Sequence, residues 1–263
     1  MNEKVIKWPK WIKLIRHDIS AYNVLRDKKK VDPLYQRFLW AWGRDKEAEG
    51  TRALAQEVYE NLALGMGDSK TPLADAEGRR AFEVGKALRQ EGNLPDVVFY
   101  SPYKRTKMTL RHIIRGWPEL ADVKAYEEER IREQGHGLVL LYNDWKVFET
   151  LHPEQRLLHK LEGPYWYQYP QGENVPDVRD RNRAWMTTLT RDFAGKKVMA
   201  VTHHLNILAI RANFERLGEC EFTRLDEHDK PINCGVTLYS CDPTKGKNGR
   251  LVLEYYNRKL YRD

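Results

Sequence analysis

Three short segments carry groups that could handle a phosphoryl transfer. "WIKLIRHD" ends an apolar run on Arg16 and His17, with Asp18 next. "DVVFYSPYKR" ends a second run on Ser101 and Pro102 and reaches Arg105 four residues later. "KKVMAVTHH" ends a third on His203 and His204. An imidazole is a competent covalent nucleophile toward phosphorus. Two guanidiniums offer planar forks that match the oxygens of a phosphate. One histidine at a strand end is more often a half-buried structural residue than a catalyst. Three such ends delivering cations and imidazoles together are a stronger signal, and they predict a phosphate site.

The elements that must position these groups read as βα units. Buried strands are expected at 11–15, 96–101 and 196–204, each followed by a helical pattern. Helices are expected at 75–93, with Asp75 as N-cap and Gly92-Asn93 as stop, and at 101–118, 177–195 and 205–218. "GVTLYSC" and "RLVLEYY" flank the turn-rich "DPTKGKNG" and predict an antiparallel pair. In a parallel sheet the C-terminal ends of the strands share one edge, so Arg16, His17, Arg105 and His203 converge there. The expected fold is α/β with a mostly parallel central sheet.

Two stretches break the alternation. Residues 24–70 hold "RDKKK", "FLWAWG" and a helix-like "EAEGTRALAQEVYENLALG", and residues 138–176 are rich in Tyr, Trp and His. Long connections in such folds usually carry function or form lids. They are read as cap-like elaborations of a single domain spanning 1–263. "RDKKK" itself is expected to be a solvated charge run beside a small satellite core, rather than a basic lid over the site.

Composition narrows the class. Lys and Arg total 45 against 38 Asp and Glu, a net charge of +7, which favours anionic partners. No nucleic-acid motif accompanies that excess, so no nucleic-acid partner is expected. No apolar stretch approaches a membrane span and the N-terminus lacks a signal-peptide core, so no membrane partner is expected. Cys220, Cys234 and Cys241 are odd in number and lack metal-ligand spacing, which predicts no disulfide framework and a cytoplasmic location. Cys234 is read as a small buried filler. No metal or cofactor is expected, and the oligomeric state is not legible. A phosphohistidine route also needs an acid for the leaving oxygen. "EEERIREQGHG" offers Glu127, Glu128, Glu129 and Glu133, and pattern alone does not choose among them.

These segments resemble the histidine phosphatase superfamily, also called phosphoglycerate-mutase-like. "LIRHDISAYN" is similar to its "RHGES…N" opening, and "YSPYKRTKMT" to its Ser-Pro-x-x-Arg-x-x-x-Thr segment. "ERIREQGHG" resembles the segment holding the family's acid, "YPQGENVPDVRDR" its Gly-Glu-Ser…Asp…Arg stretch, and "MAVTHH" its later Val-x-His-Gly strand end. The segments stand in the family's order, and the finer match looks like the phosphatase-like branch. The resemblance implies a three-layer α/β/α sandwich and a metal-independent phosphomonoesterase acting on a small phosphorylated metabolite. It implies His17 as nucleophile, Glu133 as acid and base, His203 as the second pocket histidine, and Arg16, Asn23 and Arg105 as phosphate ligands. Gly172, Glu173, Asp177 and Arg181 match a mainly structural stretch.

Three positions depart from that pattern. Asp18 and His204 replace glycines of the family, and Ile19 replaces its glutamate. A carboxylate at Asp18 would weaken binding of a dianion if it faced the pocket, and could orient His17 or take a substrate hydroxyl or ammonium if it did not. His204 would add a cation. Both are therefore candidate substrate-modulating residues. They motivate an alternative, a catalytically impaired phospho-ligand-binding relative, beside a second one, phosphoglycerate-mutase-type transfer.

Overall fold

Alternation along three strands decides the layering. In β1 (Trp11–Arg16), Ile12 and Leu14 face one side of the sheet and Ile15 the other. In a computed structural model describing residues 6–262, β1 is followed by α1 (Ala21–Lys29), α2 (Pro33–Arg44), α3 (Glu49–Leu62) and α4 (Arg79–Glu91). Then come β2 (Val97–Tyr100), α5 (Lys104–Gly116), β3 (Ala125–Glu127), α6 (Val139–Tyr142), α7 (Trp145–Leu151) and α8 (Pro153–Trp166). The chain continues through α9 (Val175–Asp192), β4 (Lys197–Thr202), α10 (His204–Glu215), α11 (Glu219–His228), β5 (Val236–Asp242) and β6 (Arg250–Arg258).

The six strands stand in the order β3-β2-β4-β1-β5-β6. β1, β2, β3 and β4 run parallel, and β5 and β6 close the other edge antiparallel, as the hairpin pattern predicts. Ile12, Leu14, Val97, Phe99, Val198 and Ala200 pack against Trp185, Leu189, Ile207 and Ile210 of α9 and α10. Ile15, Val98, Met199 and Val201 pack against Ala81, Val84, Leu88, Leu110 and Ile113 of α4 and α5. The result is the three-layer α/β/α sandwich. Each fully buried Ile, Leu or Val adds about 1.5–3 kcal/mol.

Several expected boundaries shift. The helix expected from Asp75 starts at Arg79 with Gly78 at its N-cap. Gly78 has φ +54°, and a Cβ there would lie 2.2 Å from the His112 ring, so only glycine fits. Asp75 instead closes the preceding turn by accepting from the Glu77 and Arg79 amides. His203 lies one residue past β4, at the N-cap position of α10. The three-residue β3 is too short for periodicity to reveal.

The two insertions are mostly helical and share one core. Tyr35, Phe38, Ala55 and Val58 of α2 and α3 bury against Val147 of α7. The expectation of a satellite core holds there, but the lysine run is not wholly solvated. Lys29 is 3% exposed, and its ammonium lies 3.4 Å from the Asn143 carbonyl and 3.9 Å from the Asp144 carboxylate. A cation inside the cap needs those acceptors, so Lys29 pins the first insertion to the second. Among the described residues no helix is long and apolar enough to cross a membrane.

Candidate active site

β1 delivers Arg16 and His17 to the C-terminal edge of the sheet. The His17 amide continues the ladder by donating to the Thr202 carbonyl at 2.9 Å. The His17 ring is 3% exposed. Its Nδ1 lies 2.6 Å from the Asp18 carbonyl, which can only accept, so Nδ1 carries the proton. Its Nε2 accepts from Arg105 Nε at 3.2 Å. Both partners therefore select the neutral tautomer with the lone pair on Nε2. Burial, together with Arg105 and Arg16, pushes the His17 pKa well below its ordinary value.

The arginines arrive from different elements. Arg105 sits in the first turn of α5, after β2, and is 4% exposed. Arg16 donates to the Pro231 carbonyl at 2.6 Å through Nη1, while its buried Nε has no partner. Burial lowers the Arg16 pKa to about 10, with Glu133 opposing and Arg26 and Arg105 adding to that fall. His203 is fully buried, with its ring 5.2 Å from that of His17 and Nε2 2.7 Å from the Ser101 hydroxyl. Its Nδ1 has no partner. Burial first, then Arg105 and His17, push its pKa well down.

Glu133 reaches the same cavity from the loop after β3. Its Oε1 accepts from its neighbour's amide, Gln134, at 3.1 Å and from the Asn206 amide at the start of α10 at 3.3 Å. A helix N-terminus stabilises negative charge at that oxygen. Oε2 takes no protein hydrogen bond among the described residues. The Gly172-to-Arg181 stretch holds this loop. Glu173 accepts from the Gly135 amide at 2.8 Å, and Arg181 donates to the carbonyls of Arg130 and Glu133 at 2.7 and 3.0 Å.

Arg16, His17, Asn23, Arg105, Glu133 and His204 line one cavity of about 230 Å³. Asn23 is also a structural residue, since its Oδ1 accepts from the Ser20 amide and hydroxyl at 3.0 Å each in a capping box on α1. His204 is held by the Asp226 carboxylate at 2.7 Å and is not a free cation. His203 is not on the cavity wall, and neither is Asp18.

The expectation that Asp18 modulates the pocket is therefore corrected. Its carboxylate accepts from the Ile19 amide at 2.7 Å and the Ala81 amide at 3.2 Å. Ala81 is the third residue of α4, whose N-cap is the side-chain-free Gly78. Asp18 thus supplies, from the loop after β1, the cap that Gly78 cannot. Its amide donates to the Thr109 hydroxyl at 3.0 Å. Burial, with the Asp18 charge and hydrogen bond beside it, pushes the Cys234 thiol up, which fits the buried filler role.

Other residues around the cavity were not legible. Asn233 donates to the His17 carbonyl at 2.9 Å, fixing the backbone of His17 from the β5 side. Asp68 holds Arg105 through two carboxylate contacts at 2.8 and 3.2 Å. Tyr22 and His136 also line the cavity, and Trp145 and Tyr169 bring the second insertion over it. Only the general expectation that long connections form caps could have pointed to them.

The comparisons with known proteins agree with this geometry. The profile described as histidine phosphatase superfamily (branch 1) matches residues 57–252. It therefore covers Arg105, Glu133 and His203, while Arg16, His17 and Asn23 lie before its start. Phosphoglycerate mutase-like protein AT74H of Arabidopsis thaliana is 30% identical over 186 residues, 59% of this chain and 64% of that protein. A second Arabidopsis relative, AT74, is 31% identical over 151 residues, 54% of this chain and 46% of its own length. The chain thus spans about half to two thirds of those curated relatives. A mycobacterial glucosyl-3-phosphoglycerate phosphatase shares the fold at TM-score 0.63 and 17% identity, over 95% of this chain and 98% of that one. Bacillus stearothermophilus YhfR shares it at TM-score 0.63 and 17% identity, over 95% and 99%. With the superfamily profile matching well over half of its length, the chain belongs to the histidine phosphatase superfamily, branch 1.

Proposed function

We propose that this protein is a phosphomonoesterase that works through a phosphohistidine at His17. The observation that carries this reading is the buried, neutral His17. Its proton is held on Nδ1 by a backbone carbonyl, which puts the lone pair on Nε2, where Arg105 Nε–H donates to it beside a cavity lined by Arg16, Arg105 and Glu133. Nε2 attacks phosphorus as the bond to the leaving oxygen breaks. Glu133 gives a proton from Oε2 to that oxygen, and in the second half takes one from the water that attacks the phosphohistidine. Arg16 and Arg105 carry the charge of the transferring group. Arg16 supports the same reading, because it lines that cavity with a buried Nε that has no partner among the described residues, and such an atom calls for one. The substrate is a small phosphorylated molecule, given the cavity's size.

Two relatives bear phosphoglycerate mutase-like names, which supports transfer to a second acceptor as an alternative. Dependence on a bisphosphorylated primer would mark that reaction. With Asp18 turned away from the cavity, the main motive for an inactive phospho-ligand binder is gone.

The test is phosphate release from sugar phosphates, phosphoglycerates, nucleotides and an aryl phosphate, in EDTA, with alkaline-quench detection of the acid-labile phosphohistidine. Wild type should release phosphate, and His17→Ala should lose at least about 10⁴-fold together with the phosphoenzyme. Turnover that survives His17→Ala would sink the proposal.

A further inference from the structure

The carboxylate on Arg105 stands where the proposed reaction needs a phosphoryl group. Arg105 has five N–H donors. Nε–H donates to His17 Nε2, Nη1 donates to both the carbonyl and Oδ1 of Asp68 at 2.7 and 2.8 Å, and Nη2 donates to Oδ2 at 3.2 Å. That leaves one N–H for a ligand. The fork–fork pairing is the arrangement a guanidinium makes with a phosphate. The same pose turns Nε–H onto the lone pair that must attack phosphorus.

Asp68 is not part of the sheet that builds the site. It opens a short 3-10 helix, Asp68–Lys70, on the connection between α3 and α4. Gly65 and Gly67 precede it, and a Cβ at either would meet nothing within 4 Å. Gly65 has φ +62°, so its backbone conformation needs glycine while its surroundings leave room. Such a segment can withdraw without repacking a core.

We propose that Asp68 is a specificity-determining residue, an internal competitor that sets a charge threshold at the phosphoryl site. The proposal rests on the reading of Arg105 as a phosphate ligand. A tethered carboxylate has a high effective concentration at the fork. A monoanion, such as a carboxylate or a phosphodiester, offers Arg105 little more than Asp68 already does. A phosphomonoester dianion carries a second charge, which the Arg16 cation lining the same cavity can meet, so it displaces Asp68. The site thereby selects dianionic phosphomonoesters, and the returning carboxylate helps expel phosphate.

Calorimetric titration with inorganic phosphate tests this without needing turnover. Asp68→Asn and Asp68→Ala should bind phosphate at least tenfold more tightly than wild type, with a matching fall in the inhibition constant for phosphate. Dimethyl phosphate, a monoanion, reads the threshold: the preference for phosphate over it should narrow in Asp68→Ala. A positioning role for Asp68 would weaken phosphate binding instead, so unchanged or weaker binding in both variants overturns the proposal. An unchanged preference overturns the threshold. Arg105→Ala separates the two layers: if it binds phosphate as well as wild type does, the underlying reading of Arg105 fails.

Discussion

The floor of the cavity and its cap are built by different means. On the floor, Arg16, His17 and Arg105 stand at strand ends or in the turn beyond them, and each is held in part by a backbone carbonyl. The His17 ring is set by a carbonyl, its peptide by Thr202 and Asn233, and Glu133 by an amide of α10. In the cap, long side chains reach between elements. Trp145 packs edge-on against Trp42 and is itself 44% exposed, and Lys29 ties α1 to the connection before α7. A site fixed by ladder geometry tolerates little displacement, whereas helices packed on a satellite core can shift and be exchanged. Under the proposed function, the floor does the chemistry and the cap chooses the substrate.

Variants can sharpen that contrast or break it. The largest effect is expected on the floor, where Glu133→Gln should lower kcat by about 10²–10⁴ on an alkyl phosphate. The loss should shrink on an aryl phosphate, whose leaving oxygen needs less protonation; equal losses measured on both would remove Glu133 from the acid role. In the cap, Phe38→Ala should cost about 3–5 kcal/mol in urea unfolding, since Phe38 has no exposed surface. Aryl phosphate turnover by the folded fraction should persist within a few-fold, and its loss would show that cap and floor are one unit.

Acid should act through the floor. His17 and His203 have pKa values pushed well below the ordinary 6.5, so the unfolded chain binds protons that the folded one refuses. Their contribution is present above pH 6.5 and is lost as pH falls below it, by up to about 1.4 kcal/mol per pH unit for each histidine. Urea midpoints at pH 7.5, 6.5 and 5.5 should be level and then fall, and His203→Gln should flatten the slope. The smallest effect is expected from Trp145→Ala, a several-fold rise in KM with kcat nearly unchanged, because its contacts are made equally in ground and transition states. A large kcat loss there would place the cap in the chemistry.

Much of the floor was legible from residue types. Apolar runs ending in Arg16-His17, in Ser101-Pro102 and in His203-His204 announced strands, and parallel strands share a carboxyl edge, so convergence followed. Glu133 was singled out only by resemblance, because four nearby glutamates have the same local chemistry. The direction of the Asp18 carboxylate stayed open in the sequence because its partner, the Ala81 amide, lies 63 residues away. Lys29 looked like one lysine among three, and its burial depends on carbonyls more than 110 residues distant.

The sequence by itself determined the layered α/β frame, the hairpin edge and the set of groups able to handle a phosphate, since these follow from local periodicity and side-chain chemistry. Only the tertiary structure decided which way the Asp18 carboxylate points, that Gly78 leaves a helix start for it to cap, and that Asp68 grips Arg105. Those outcomes depend on donors and acceptors brought together from separate segments, where one unpaired buried group is costly enough to choose the arrangement.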